Sequence, residues 1–323
     1  MNNSNKIQIE KIKEKDKEKD KEKEINQKNL NFEAKIKKSK KISNKLILCK
    51  SAPSLHIPTG LSFECLILST FLKFYPVESH LKIKTKCFDV SQSRISPTNE
   101  FPVLCLPNDT PICGLESIMK FFYEKTENLD QYNKLFNNEN PEITEILIPM
   151  ILHHTKRMFK YHFWFRLENF CGFLLPEFYA SNDVYIQIIY PFSMRRNVVQ
   201  EFQNTIFAKS SEQTFIKSLD SFFLLLSKKL GNQKYFCGNS PTLFDCVVFG
   251  SLAPILFSVV PNPQIPTLIR EYKNLVDFCE MIKGDCFPNW FYDNSLKRKK
   301  QDKKMFPFLS FATITFDNIS NLF

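Results

Sequence analysis

The residues best placed for chemistry in this sequence are a serine and a cysteine three positions apart, Ser62 and Cys65, at the expected start of a helix. A thiol there lies over the positive end of the helix dipole, which lowers its pKa and favours the thiolate. Glu64 stands between the two, and its negative charge opposes thiolate formation. Both residues also have plain structural readings. Ser62 is a natural N-cap, and Cys65 can be a small buried hydrophobe. A second pair, Glu116 and Ser117, opens a later helix, where free backbone N–H groups suit an anionic group. The same pair favours a helix N-terminus with no ligand at all.

Other chemistries are poorly supplied. The ten cysteines, at 49, 65, 87, 105, 113, 171, 237, 246, 279 and 286, form no CxxC pair and no paired framework. The N-terminus is Lys/Glu-rich, unlike an apolar signal peptide, so free thiols in a reducing compartment are the expectation. The five histidines do not pair with cysteines at zinc spacing. His153 and His154 are adjacent on an expected helix and so point to different faces. No metal site is expected. Neither GxGxxG nor GxxxxGK[ST] occurs, and the chain has only 7 Gly against 33 Phe, a balance that suits packed helices. The formal charge of +10 resides largely in the two tails. With no zinc-finger, RRM or basic-zipper pattern, nucleic acid is not an expected partner.

The 323 residues, 43% of them hydrophobic, suffice for two domains. Residues 1–44 are a low-complexity charged tail that buries too little apolar surface to offset its ordering entropy. Its Glu–Lys pairs at i,i+4 allow transient helix and are compatible with a coiled coil. Residues 45–127 then read as strand, helix, strand, strand, strand, helix. The run 46–49 is a buried strand, and the helix after Ser62 carries Phe63, Leu66, Leu68 and Leu72. Residues 80–88 alternate Leu81, Ile83, Thr85 and Cys87 against Lys82, Lys84 and Lys86, which predicts a half-exposed edge strand with its lysines outward. The run 101–106 is a strand opened by proline, 107–110 a tight turn, and 111–113 a short strand before a helix over 115–125.

Residues 140–291 are expected to be helical almost throughout. A helix over 210–230 is stopped by Gly231. Thr242 and Asp245 form a capping motif for the next helix, and a last helix covers about 267–282. The stretch 159–178 is dense in aromatics (Phe159, Phe163, Trp164, Phe165, Phe170, Phe173, Phe178). Core packing is the first reading, and an exposed patch for a partner the second. The tail 292–323 joins a basic cluster, 297–304, to an apolar run, 305–316. That run is shorter than the roughly 20 residues a bilayer-spanning helix needs. It suits peripheral contact with an anionic membrane or docking on the chain itself.

Several of these stretches carry a family resemblance. Leu230-Gly-Asn-Gln-Lys-Tyr-Phe-Cys-Gly238, then Ser240-Pro-Thr-Leu-Phe-Asp245 and Cys246-Val-Val-Phe-Gly250, resemble the C-terminal domain shared by metaxins and the failed axon connections (Fax) proteins. Asn274-Leu-Val-Asp-Phe-Cys-Glu-Met-Ile-Lys283 fits both families. Phe287-Pro-Asn-Trp290, Pro191-Phe-Ser-Met-Arg-Arg196 and Ser62-Phe-Glu-Cys65 lean toward the Fax branch. The resemblance covers about residues 55–291 and implies a glutathione-transferase-like fold, α/β plus all-α: an N-terminal thioredoxin-like domain and a C-terminal helical bundle.

By the same resemblance, a glutathione site would use Ser62 or Cys65 against the sulfur. Phe101-Pro102, a cis-proline step, would present backbone to the tripeptide, and Glu116 and Ser117 would hold its γ-glutamyl end. The proline that related Fax proteins place beside the active-site position is replaced by Phe63-Glu64. The leading expectation is therefore a largely non-catalytic, cytoplasmic protein acting through protein or peripheral membrane contacts, with a homodimer compatible with the fold. The alternatives are a glutathione-dependent transferase or thiol enzyme, and a metaxin-type component of protein sorting on the cytosolic face of the mitochondrial outer membrane.

Overall fold

The computed structural model describes residues 46–88, 96, 98, 100–107, 110–126, 146–179, 185–208 and 210–290. The expected tails, 1–44 and 292–323, and part of the turn at 107–110 lie outside them. The chain divides into two compact units, residues 1–52 with 62–139, and residues 53–61 with 140–323.

The first unit holds a four-stranded sheet of order β2-β1-β3-β4. Strand β1 (Ile47–Ser51) pairs in parallel with β2 (Lys84–Phe88) and antiparallel with β3 (Val103–Cys105), which pairs antiparallel with β4 (Ile112–Cys113). Helix α1 (Phe63–Phe74) and the short α2 (Val77–Leu81) form the crossover from β1 to β2. A parallel neighbour demands such a crossover. Helix α3 (Leu115–Thr126) follows β4. The expected order of strands and long helices holds, with one short helix added. Cys49, Cys65, Phe101 and Val103 form a buried cluster, with Ile47, Phe88, Cys105 and Cys113 packed against it.

The edge strand departs from its expected register. Residues 77–81 are helical, Lys82 is left-handed, and the strand begins only at Lys84. Cys87, expected on the covered face, is exposed, whereas Lys86 is half-buried. Phe88, in alternation with Lys86, stacks on Phe101 with ring centroids 5.5 Å apart. Burying one large ring outweighs aligning the small residues, and the lysine stem can lie along apolar surface with its ammonium in water.

In the second unit, α4 (Ile148–Phe159) runs into a π-helical segment, Lys160–Phe165, followed by α5 (Leu167–Asn169), a second π segment, Phe170–Leu174, and α6 (Leu175–Tyr179). A third π segment (Tyr185–Ile189), α7 (Tyr190–Glu201) and a fourth (Phe202–Ile206) continue one another directly. Then come α8 (Glu212–Leu230), α9 (Leu243–Leu256), α10 (Gln264–Arg270) and α11 (Lys273–Cys286). The single last helix expected over 267–282 is thus two, parted at Glu271 and Tyr272. Helix α9 is buried continuously from Phe244 to Leu256, the centre around which the unit packs. The aromatic stretch is mostly core: Phe159, Phe163, Phe170, Phe173 and Phe178 are buried, and Trp164 and Phe165 half-buried.

Candidate functional site

Ser62 caps α1, and its Oγ accepts from the backbone N of Cys65 at 3.2 Å. The same hydroxyl donates to the carbonyl of Phe101 at 3.0 Å. The Phe101–Pro102 peptide is cis. Beyond it, the Pro102 carbonyl accepts from Gly114 N at 3.0 Å, and Gly114 O accepts from Ile118 N, which starts α3. The sheet therefore gathers every expected site residue into one unit. Ser62 reaches Phe101 directly, and Pro102 is tied to the residue two before Glu116. Glu116 and Ser117 are exposed on the first turn of α3.

The arrangement offers less chemistry than the residue types suggest. Ser62 has one proton, and it is committed to Phe101 O, the carbonyl that would have to meet a tripeptide. Cys65 is fully buried, and its Sγ accepts from Ser51 N at 3.5 Å. Burial pushes its thiol up to about 11, and the Ser62 hydroxyl, the Ser51 N–H and Lys50 offset this only in part; Glu64 adds to the rise. A thiol so placed remains protonated at neutral pH and has no path to a substrate. Cys49 and Cys105, with sulfurs 4.0 Å apart, lie in the same cluster; their mutual contact, and then burial, raise the Cys49 thiol far above its ordinary value. The opening of α3 leaves Glu116 and Ser117 exposed, whereas the Cys65 sulfur is buried and the Ser62 hydroxyl engaged.

Among the described residues no group of His, Cys, Asp or Glu has metal-holding geometry. His154 stacks on Phe222 at 4.9 Å, and its ring lies nearly perpendicular to that of His153. No described helix is long and apolar enough to cross a membrane.

The resembling motifs of the second unit have structural work. Gly231, at φ +56°, ends α8 in a conformation that side chains resist. Tyr235 and Gly238 close a turn with two backbone bonds of 3.2 Å. That turn delivers Phe236 N to the buried Asp245 Oδ1 at 2.8 Å, while Thr242 donates its N and Oγ1 to Oδ2 at 2.8 and 2.7 Å. Burial raises the Asp245 pKa, and these donors partly offset the rise. Phe287 stacks on Phe249 of α9, and Trp290 closes against Phe249 and Phe257.

Two polar groupings were not legible in the sequence. Asn169, fully buried, donates to the carbonyls of His162 and Asn262 at 2.9 and 3.0 Å and accepts from Asn262 N at 2.7 Å. Arg166 bridges Glu168 and Glu212 at 3.0 and 2.8 Å, and Tyr161 also bonds Glu212. The Asn169–Asn262 bonds span 93 positions, beyond any local pattern.

The mixed sheet with its cis-proline step, followed by a helical unit, is a glutathione-transferase-like fold. The family described as "Glutathione S-transferase, C-terminal domain" matches residues 220–282, and the one described as "Outer mitochondrial membrane transport complex protein" matches residues 65–195. Among curated proteins, the Metaxin-1 homolog of Caenorhabditis briggsae is 41% identical over 88 residues, 27% of this chain and 28% of that protein. Metaxin-3 of Xenopus laevis is 26% identical over 237 residues, 69% of this chain and 71% of that protein. Metaxin-2 of Mus musculus is 33% identical over 75 residues, 23% of this chain and 28% of that protein. Two of these three matches thus span less than a third of the relative's own length.

Solved structures align too, among them glutathione transferase F7 of Populus trichocarpa, with a TM-score of 0.43 and 14% identity over 74% of this chain and 93% of that one. At that score the fold rests on the strand order and the family matches instead. The chain thus resembles metaxins and, over residues 220–282, the C-terminal domain of glutathione transferases.

Proposed function

We propose that this protein is a non-catalytic component of protein import or sorting at the mitochondrial outer membrane, on its cytosolic face, acting through protein contacts. The observation that carries this reading is the match of residues 65–195 to the outer mitochondrial membrane transport family. The metaxin relatives support the same reading. The site geometry is consistent with a scaffold. The Ser62 hydroxyl and Cys65 sulfur hold α1, the sheet and the cis-proline loop together, and we assign them that structural role. This favours the metaxin-type alternative over a purely cytoplasmic protein, and over a transferase.

Depletion of the chain from its own cells tests the proposal. Isolated mitochondria should then assemble newly made β-barrel proteins several-fold more slowly, while import of a matrix precursor continues. Unchanged β-barrel assembly in depleted mitochondria would sink the sorting role.

A further inference from the structure

Arg195 on α7 is half-buried, its guanidinium 5.5 Å from the centre of the Phe170 ring. One Nη donates to the carbonyl of Phe165 at 3.3 Å, and Nε is buried with no partner. No ion pair between described residues engages Arg195 or its exposed neighbour Arg196; those nearby are Lys160–Glu201, Arg166–Glu168 and Arg166–Glu212. Burial lowers the Arg195 pKa, and the one opposing influence on it is the Cys171 thiol. A half-buried cation without a carboxylate costs free energy that a partner's charge would recover.

Ile188 and Ile189 are 51% and 55% exposed. They belong to the π segment that runs directly into α7, seven residues before Arg195 and Arg196 respectively, and that spacing returns a helix to the same face. Large aliphatic side chains exposed about two turns from a guanidinium that no carboxylate engages among the described residues form an apolar anchor with a charged clasp, the make-up of an interface centre.

We infer that the face bearing Ile188, Ile189, Arg195 and Arg196 is a docking surface for an acidic, partly apolar segment of a partner protein. Charge complementarity selects the occupant. With Nε buried, the two Nη groups are the arms through which this guanidinium would meet a carboxylate by parallel N–H···O bonds. Arg195 is recessed beside an aromatic ring, which suits a side-chain carboxylate reaching in. A flat anionic bilayer is served better by projecting lysines. The inference does not depend on the sorting role.

A random short-peptide library displayed on phage, selected on the full chain, tests it. Selected peptides should be rich in Asp or Glu interleaved with Leu or Phe. Their affinity should fall about tenfold or more for Arg195→Lys, which keeps the charge but loses the bidentate fork. Ile188→Ser, a change at an exposed site, should weaken them independently, with both variants retaining the wild-type circular dichroism spectrum. Selection without carboxylate-bearing peptides, or binding that both variants leave intact, would overturn the inference. So would co-sedimentation with phosphatidylserine vesicles that Arg195→Lys abolishes, in the absence of any peptide binder.

Discussion

Ser62 uses its hydroxyl twice, as acceptor for the first turn of α1 and as donor to Phe101 O. Ser62→Ala removes the cap and strands a carbonyl beside the sheet, at a cost of about 2 kcal/mol. The urea midpoint should fall with no change in slope. Because the same proton would have to serve a bound sulfur, calorimetry with reduced glutathione should show no saturable heat for wild type or variant. Saturable heat abolished by Glu116→Ala/Ser117→Ala would instead favour the transferase reading. His162 supplies a second residue-level expectation. Ser258 donates its proton to Ile255 O at 2.7 Å, so His162 Nε2, 3.2 Å from Ser258 Oγ, is the donor in that contact. Burial lowers the His162 pKa from 6.5 to about 3. Between those values the unfolded chain binds more protons, so stability rises with pH through this window and falls as it is acidified. Going from pH 6.5 to 5 should cost up to about 2 kcal/mol through this group. His162→Gln, which can still donate to Ser258, should flatten that part of the stability–pH curve; an unchanged curve would show that His162 titrates normally.

At the scale of elements, the second unit is stitched by close contacts between segments far apart in sequence. A Cβ added to Gly172 would lie 2.6 Å from Pro261 Cγ. Pro261 cannot easily retreat, because the adjacent Asn262 is clamped by Asn169. Gly172→Ala should therefore destabilise by about 2 kcal/mol, lowering the melting temperature by about 5 °C. Gly284 on α11 meets nothing within 4 Å, and Gly284→Ala should leave the midpoint unchanged or slightly raised. Equal midpoints for the two variants would mean that the Gly172 contact relaxes without cost. The same scale explains the edge-strand misreading. Alternation predicted Leu81, Ile83 and Cys87 inward, but a stacked Phe88–Phe101 pair set the register, and Phe101 lies thirteen residues further along the chain.

For the whole molecule, the +10 charge invites an electrostatic account of any membrane association. The proposed sorting role requires attachment through protein contacts instead. The chain should therefore remain with purified mitochondria through a wash at about 1 M salt, where the Debye length is about 3 Å. Release by that wash would assign the attachment to the basic tails and count against docking into a complex.

The sequence by itself determined what depends on neighbours a few positions apart. It placed Ser62 as a cap, α3 and α8 within a residue or two, the Thr242–Asp245 motif, the Gly231 stop and the order of strands in the first domain, because hydrophobic period, caps and breakers act locally. Its motifs also carried the family resemblance. Tertiary structure alone decided whether the candidate site was free for chemistry. The commitment of the Ser62 proton to Phe101 O, the burial that raises the Cys65 thiol, and the Asn169–Asn262 clamp each join groups dozens of residues apart. Among the described residues no carboxylate engages Arg195, for the same reason. A hydrogen bond or a desolvation cost depends on which distant groups fold against a side chain, and residue type and spacing do not encode that.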